Sequence, residues 1–467
     1  MQSDLLKSSK IKRIHFIGIG GISMSGLAEI LMSKGYILTG SDMKASALTE
    51  KLERSGIKVT IGHNAKNALG SDLVVYTAAI RETNPELAGA REAGIPCIDR
   101  ATLLGELMRE YPRSIAVSGT HGKTTTTSMV SLIMLEAGLD PTIHIGGELE
   151  AIGGTTRIGG GKYFIAEACE YTGSFLKFHP YLAILLNMEF DHADYFRDMG
   201  HIKETFTRFA GLVPEDGYIV ACADDAGVMS VLDTVSCNKI TYGINAAGCT
   251  WSASDITYDD LGCAVYKLMY NNEAVGEIKL GVPGVQNVSN SIAAIAACSI
   301  MGCGIDAARE ALRKFTGTHR RFEFKGNAGG IKVIDDYAHH PTEVRVTLRA
   351  ARNCGQTRVI CVFQPHTYTR TRFLMDDFAI AFDDADMVLL ADIYAAREPD
   401  TGEVHSGMLA DRINRQGKKA VYMKSFDAIV EYLDRNARPG DLIITMGAGD
   451  IYKVGEMFLR GRKRQAI

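Results

Sequence analysis

No stretch of this sequence is apolar for long enough to cross a bilayer. The longest apolar runs, Tyr181–Met188 and Ile292–Met301, fall well short of the roughly 18 residues a spanning helix needs. The basic start from Lys7 to Arg13, ahead of apolar Ile14–Ile22, mimics a secretory leader. Gly18, Gly20 and Gly21 break that stretch, which reads better as strand, turn and helix. No cysteine stands in a CxxC pair, so zinc ribbons and thioredoxin chemistry lose support; ten scattered cysteines suit a reducing cytoplasm. No long basic tract occurs and the formal charge is −4, so nucleic acid is not the default partner. Internal repeats and low-complexity segments are also missing. Glycine, in contrast, is plentiful at 48 of 467 residues, and many of these cluster at apparent strand-to-helix turns, where phosphates are held. The length suits about three domains.

Strand and helix patterns alternate throughout, which argues for parallel sheets. Up to about Tyr111, strands are expected at Lys12–Gly18, Tyr36–Gly40 and Leu73–Thr77, with helices at Ser25–Ser33, Ala45–Ser55 and Pro85–Ala93. A second segment opens with strand Ser114–Ser118, a glycine turn and a helix from Lys123 to Ala137. It closes with helices Asn287–Met301 and Asp306–Phe315. From Gly317 onwards, strands are expected at Lys332–Asp336, Arg358–Phe363, Met387–Ala391, Ala420–Met423 and Leu442–Met446.

The sharpest motif is Val117-Ser118-Gly119-Thr120-His121-Gly122-Lys123-Thr124-Thr125, between a strand and a helix. Backbone N–H groups in such a turn point at anions. Lys123 would reach the β/γ-phosphates and Thr124 would hold Mg²⁺. Val117 stands where the usual eight-residue pattern has its first glycine. A second turn, Gly18-Ile19-Gly20-Gly21 with Gly26 beyond, precedes Ser41-Asp42 at the end of the next strand. It reads as a Rossmann-type turn, whose pyrophosphate belongs either to NAD or to a UDP-sugar. Glu167 and Glu170 end one β-rich run and Asn187–His192 ends the next; oxygen ligands with one imidazole suit Mg²⁺ on a phosphate. In the third segment, polar clusters follow four strands: Asp335–Pro341, Gln364–Arg372, Asp392-Ile393-Tyr394 with Arg397-Glu398, and Gly447–Asp450. Such a row of strand ends suggests a cleft facing the second domain.

In order and spacing, these motifs together with Arg320-Arg321-Phe322-Glu323 resemble the Mur ligases over nearly the whole chain. The resemblance implies an α/β protein of three domains: a Rossmann-like UDP-sugar-binding domain (1–111), a central P-loop ATPase-like domain (112–316), and a C-terminal Rossmann-like domain contacting amino acid and ATP (317–467). It implies an ATP-dependent amide ligase using Mg²⁺ and joining L-alanine to UDP-N-acetylmuramate through an acyl phosphate. The enzyme would be cytoplasmic, a monomer or dimer. Gly119, Thr120, Gly122, Lys123, Thr124 and Thr125 would surround the ATP phosphates, with Asn287 and Asn290 at the adenine. Thr124, Glu167 and His192 would hold metal, and Arg321 would approach the γ-phosphate. Asp336 and His340 would lie in an interdomain cluster that, with His339, positions or deprotonates the amine. Gly18, Gly20, Gly21, Ser41 and Asp42 would contact the UDP-sugar, and Arg370 and Arg372 the substrate's carboxylate end. Three positions depart from the family: Gln286 for His, Cys169 for Asp and Phe190 for Pro. A dehydrogenase would leave the Lys123 turn unexplained, and an ATP-hydrolysing switch would leave the N-terminal turn unexplained. A tripeptide-accepting ligase is the nearest alternative within the family.

Overall fold

In the computed structural model, which describes residue 6 and residues 10–465 apart from 260 and 397, the chain builds three sheets in succession. Arg397 and residues 7–9 of the basic start lie outside the described residues. The first sheet is wholly parallel, in the order Lys58–Ile61, Ile37–Asp42, Arg13–Ile17, Leu73–Tyr76, Cys97–Asp99. Side chains alternate across a strand. Ile14 and Phe16 therefore enter the core with Leu27, Ile30 and Leu31 of helix Ile22–Ser33, while Ile17 packs on the opposite side with Leu87 and Ala90.

The second sheet has ten strands. Strand Arg113–Ser118 sits in its parallel part between Leu182–Leu185 and Tyr163–Ala168, and an antiparallel meander, Trp251–Pro283, forms one edge. Helix Lys123–Glu136 begins with four threonines and is nonetheless largely buried. Its hydroxyls are satisfied locally: Thr127, Ser128 and Ser131 each donate to the carbonyl four residues back, at 2.7–2.8 Å. That lets a polar helix pack against the Ala-rich helix Val285–Ile300, with the Thr126 hydroxyl left buried and unpaired.

The third sheet has five parallel strands and an antiparallel edge strand, Glu323–Ala328. Asp336 and Phe363 both register with Met446, so the polar segments that follow these three strands emerge side by side. All described cysteines are free thiols. Among the described residues, no helix is long and apolar enough to cross a membrane.

Candidate active site

The turn before helix Lys123–Glu136 is held from below by Asn187. Its carbonyl accepts the Thr120 N–H at 3.1 Å and its side-chain oxygen accepts that of His121 at 2.7 Å. Gly122 adopts φ +83°, and a Cβ there would lie 2.7 Å from the Asn290 amide oxygen, so glycine is required on both counts. The Lys123 ammonium folds back over the turn, donating to the Gly119 carbonyl at 2.5 Å, the Thr120 carbonyl at 3.0 Å and Glu170 at 2.9 Å. Burial alone would lower its pKa; the Glu170 carboxylate outweighs that and holds it above the ordinary lysine value.

Strand pairing sets Val117 opposite Glu167, and the Thr124 hydroxyl donates to the Glu167 carboxylate at 2.8 Å. His192, at φ +53°, lies 3.8 Å from Glu170 and stacks obliquely on Tyr171. The sequence expectation paired His192 with Glu167; in the structure Glu170 stands next to both His192 and Lys123. Cys169 is half-buried, and desolvation with the adjacent Glu170 carboxylate pushes its thiol up to about 11 and keeps it neutral.

A cavity of about 210 Å³ opens above the turn, between the second and third domains. Gly122, Thr125, Gln286, Asn287, Asn290 and Arg321 are among its lining residues. Asn290 donates to the Asn287 side chain, and Asn287 to the Pro283 carbonyl. The Gln286 side-chain oxygen is buried with no hydrogen-bond partner. An adenine base carries an exocyclic amine that fits such an acceptor.

The third domain closes the cavity through helix Pro341–Arg352. His340 caps this helix and Glu343 completes a capping box. His121, from the phosphate turn, lies 3.3 Å from Glu189 and 3.2 Å from Glu343. Burial opposes its protonation, but the two carboxylates outweigh burial and lift it to about 9. Burial and the neighbouring His121 lower His340, and burial takes His339 down to about 3. Arg321 sits 3.7 Å from Glu343, with its guanidinium over Tyr337.

The two oxygens of Asp336 accept the N–H groups of Phe322 and Ala338, each at 2.7 Å, and the residue also lines the 210 Å³ cavity. Its contribution is to hold the Arg320–Phe322 turn, where Arg320 and Phe322 both take positive φ. Burial raises its carboxyl to about 6. An acid whose pKa is higher folded than unfolded loses stability as pH rises between the two values. Relative to Asp336→Asn, the native chain should therefore lose on the order of 2–3 kcal/mol from roughly pH 4 to just above pH 6, and little beyond. Denaturant unfolding of both proteins across that range checks this; a stability difference that does not change with pH would refute the shift.

A second cavity, about 160 Å³, is lined by Tyr171, Asp191, His192, His366, Arg370 and Phe373, among others. Arg370 makes a bidentate pair with Asp191 at 2.9 and 3.1 Å, with burial on both sides. Burial works against ionisation of Asp191, yet the guanidinium holds its carboxyl well below the usual range. Arg372 does not join this site: it is 52% exposed and pairs with Glu403. Both arginines lie on the single turn Tyr368–Phe373, and helical residues two apart point in different directions.

The N-terminal turn departs most from the sequence reading. Gly18 and Ile19 donate to the Ser41 carbonyl, Gly20 to the Asp42 carboxylate at 2.9 Å, and Gly21 to the Gly18 carbonyl. With these amides consumed internally, the donors left by helix geometry are those of the first turn of Ile22–Ser33. Asp42 braces the turn, while the Ser41 side chain is fully buried, with its hydroxyl on Glu86 rather than facing a ligand. Where this helix meets residues 148–156 and 316–324, a cleft of about 720 Å³ joins the three domains. Sequence reasoning did not single out Glu343, Asp191 or His121 as site residues. Each acts through a partner from a distant part of the chain, and only the capping box gave a local signal.

Three family descriptions match in series: "Mur ligase family, catalytic domain" over 13–112, "Mur ligase middle domain" over 117–298, and "Mur ligase, glutamate ligase domain" over 320–449. The chain is 59% identical to the UDP-N-acetylmuramate–L-alanine ligase of Acetivibrio thermocellus, covering 100% of this chain and 99% of that protein. It is 53% identical to the protein of the same name from Caldanaerobacter subterraneus subsp. tengcongensis, covering 99% and 100%. Among solved structures, the UDP-N-acetylmuramate–alanine ligase of Thermotoga maritima matches with a TM-score of 0.81 at 28% identity, over 97% of this chain and 99% of that one. A murein peptide ligase from Psychrobacter arcticus matches with a TM-score of 0.71 at 26% identity, over 97% and 98%.

Proposed function

The chain belongs to the Mur ligase family, and from that premise we propose that it joins L-alanine to the carboxylate of UDP-N-acetylmuramate, driven by ATP, in the synthesis of peptidoglycan precursors. The observation that carries this reading is the adjacency of two cavities along one interdomain seam. One is capped by the phosphate turn and the other holds Arg370, so a phosphoryl donor and an amino acid can meet.

A carboxylate is a poor electrophile. Transfer of the γ-phosphoryl group to it gives an acyl phosphate, the alanine nitrogen attacks the acyl carbon, and phosphate leaves. Charge on the phosphoryl group in flight requires cations at short range. Lys123 and Arg321 supply two. The Thr124 hydroxyl and Glu167 carboxylate, 2.8 Å apart, are oxygen donors suited to a hard cation, and Mg²⁺ held there with His192 nearby would offset phosphate charge. With lowered pKa values, His339 and His340 stay neutral at pH 7, so they can accept hydrogen bonds from the amine without repelling an incoming ammonium. Asp336 positions Arg321 by fixing its turn. The UDP group is assigned to the N-terminal domain, with Asp42 bracing the glycine turn and the first turn of helix Ile22–Ser33 facing the pyrophosphate. The enzyme acts in the cytoplasm as a monomer or dimer. The small second cavity favours a single amino acid over a tripeptide.

Mass spectrometry of the product formed from UDP-N-acetylmuramate, ATP and mixed amino acids tests this, with tripeptide supplied in parallel. Phosphate should appear only when both acceptor and amino acid are present; release without either would indicate a plain ATPase. Gln286 offers a narrower test. Replacing it with Leu removes the buried acceptor and should raise the KM for ATP roughly tenfold, the value of one hydrogen bond to a ligand otherwise buried unpaired. The KM for alanine should stay put. An equal shift in both constants would place Gln286 outside the adenine pocket.

A further inference from the structure

We propose that His121, Glu189 and His340 form a binding site for a borderline-soft divalent cation of the zinc type, distinct from the oxygen-rich Mg²⁺ position at Thr124 and Glu167, and that an ion there clamps the central domain to the C-terminal domain. One ligand atom from each of the three residues lies within 4.8 Å of the others. His121 Nε2 is 3.3 Å, and His340 Nδ1 3.7 Å, from the same oxygen, Glu189 Oε2. Metal–ligand bonds of about 2.0–2.1 Å in a tetrahedron place ligand atoms roughly 3.3–3.4 Å apart. The two separations to Glu189 are thus within a few tenths of an ångström of what an ion needs, and the two imidazoles, within 4.8 Å of each other, would draw together on binding.

The surrounding groups are those that orient metal ligands. Histidine ligands characteristically direct their second ring nitrogen at a carboxylate or a carbonyl. Here His121 Nδ1 faces Glu343 at 3.2 Å, and His340 Nε2 faces the Phe190 carbonyl at 3.3 Å. That arrangement leaves His121 Nε2 and His340 Nδ1 facing Glu189, whose oxygen also accepts the Thr342 hydroxyl at 2.7 Å; His340 Nδ1 also accepts the Thr342 N–H at 3.4 Å, a long capping bond that an ion would replace. Two imidazoles and one carboxylate select zinc-like ions over Mg²⁺, which prefers an all-oxygen octahedron. Binding exchanges the proton that His121 Nε2 shares with Glu189 for the ion, and the proton leaves to solvent. His121 and Glu189 both line the 210 Å³ cavity, so a fourth coordination position opens into it. His121 and Glu189 belong to the central domain and His340 to the third, which makes the ion a cross-link.

The site does not depend on the nucleotide reading above, and its binding is measured without nucleotide, so failure of one is distinguishable from failure of the other. The probes are Zn²⁺ against a chromogenic chelator and Co²⁺ followed by visible absorption, on full-length, tag-free, metal-stripped protein with excess Mg²⁺ present. The expected result is one Zn²⁺ per chain and a tetrahedral Co²⁺ spectrum without sulfur-to-metal charge transfer. Affinity should fall at least tenfold in His121→Gln and His340→Gln, and measurably in Thr342→Val, which retains shape and serves if a histidine variant fails to fold. Absence of zinc uptake, undiminished uptake in these variants, displacement by Mg²⁺, or a thiolate signature from Cys169 or another cysteine would each overturn the site.

Discussion

Replacing Lys123 with Ala is expected to lower ligation about 10³-fold or more while UDP-N-acetylmuramate still binds within about twofold of the native affinity. The first figure follows from the role proposed for Lys123, a cation on the transferring phosphoryl group; one preorganised donor alone is worth about 10²–10³. The second follows from separation, since the N-terminal glycine turn belongs to a different sheet. The variant also strands Glu170, a buried carboxylate that Lys123 contacts at 2.9 Å. A structural defect and a chemical one must therefore be told apart. Lys123→Met combined with Glu170→Gln removes both charges and should restore thermal stability without restoring turnover. Calorimetry and steady-state kinetics on both proteins check this. Loss of sugar-nucleotide binding in step with activity would defeat the domain assignment, and recovered turnover in the double variant would defeat the role of Lys123.

Breaking the Arg370–Asp191 pair should be comparably severe, by a different route. Asp191→Ala leaves a guanidinium buried without its counter-ion, a situation that costs about 3–5 kcal/mol. Because the pair joins the central to the C-terminal domain, the defect should appear as weakened docking of the two and at least about a hundredfold loss of turnover. Leu at both positions should recover much of the stability and none of the activity. A double-mutant cycle should return a coupling of about 1 kcal/mol or more. Arg372→Ala is the internal control: its partner Glu403 is exposed, so it should change stability by well under 1 kcal/mol and turnover less than twofold. Equal damage from Arg372→Ala and Arg370→Ala would show that the structure has separated them wrongly.

The contrast between these two arginines shows where sequence reasoning stops. Gln364–Arg372 is a polar run with no apolar period, so nothing local says which side chain turns inward; the answer lies with Asp191, 179 positions away. Helix Phe426–Asn436 was legible because an amphipathic pattern and a Ser cap bound it, and strand Tyr163–Ala168 because it opens on the unbroken apolar run Tyr163–Ala166. Strand Lys58–Ile61 lacks a fully buried residue, and Cys97–Asp99 has three residues, so neither carries a periodic signal; both are recruited by sheet pairing. At the site, the Lys123 turn could be read because its chemistry is contiguous. The side chains of Ser41 and Asp42 could not be told apart, since adjacent strand residues face opposite sides and, of the two, it is the Asp42 side chain that meets the glycine turn.

The seam between the second and third domains is crossed by contacts within the chain itself, among them Arg370 on Asp191, Thr342 on Glu189, His340 on the Phe190 carbonyl, and His121 on Glu343. The cavity proposed for the nucleotide lies along the same seam. A motion that parts these contacts also reshapes that cavity, so domain docking and nucleotide affinity are expected to be coupled. A variant that loosens the seam should change both together, since measured affinity scales with the fraction of molecules in the binding-competent arrangement.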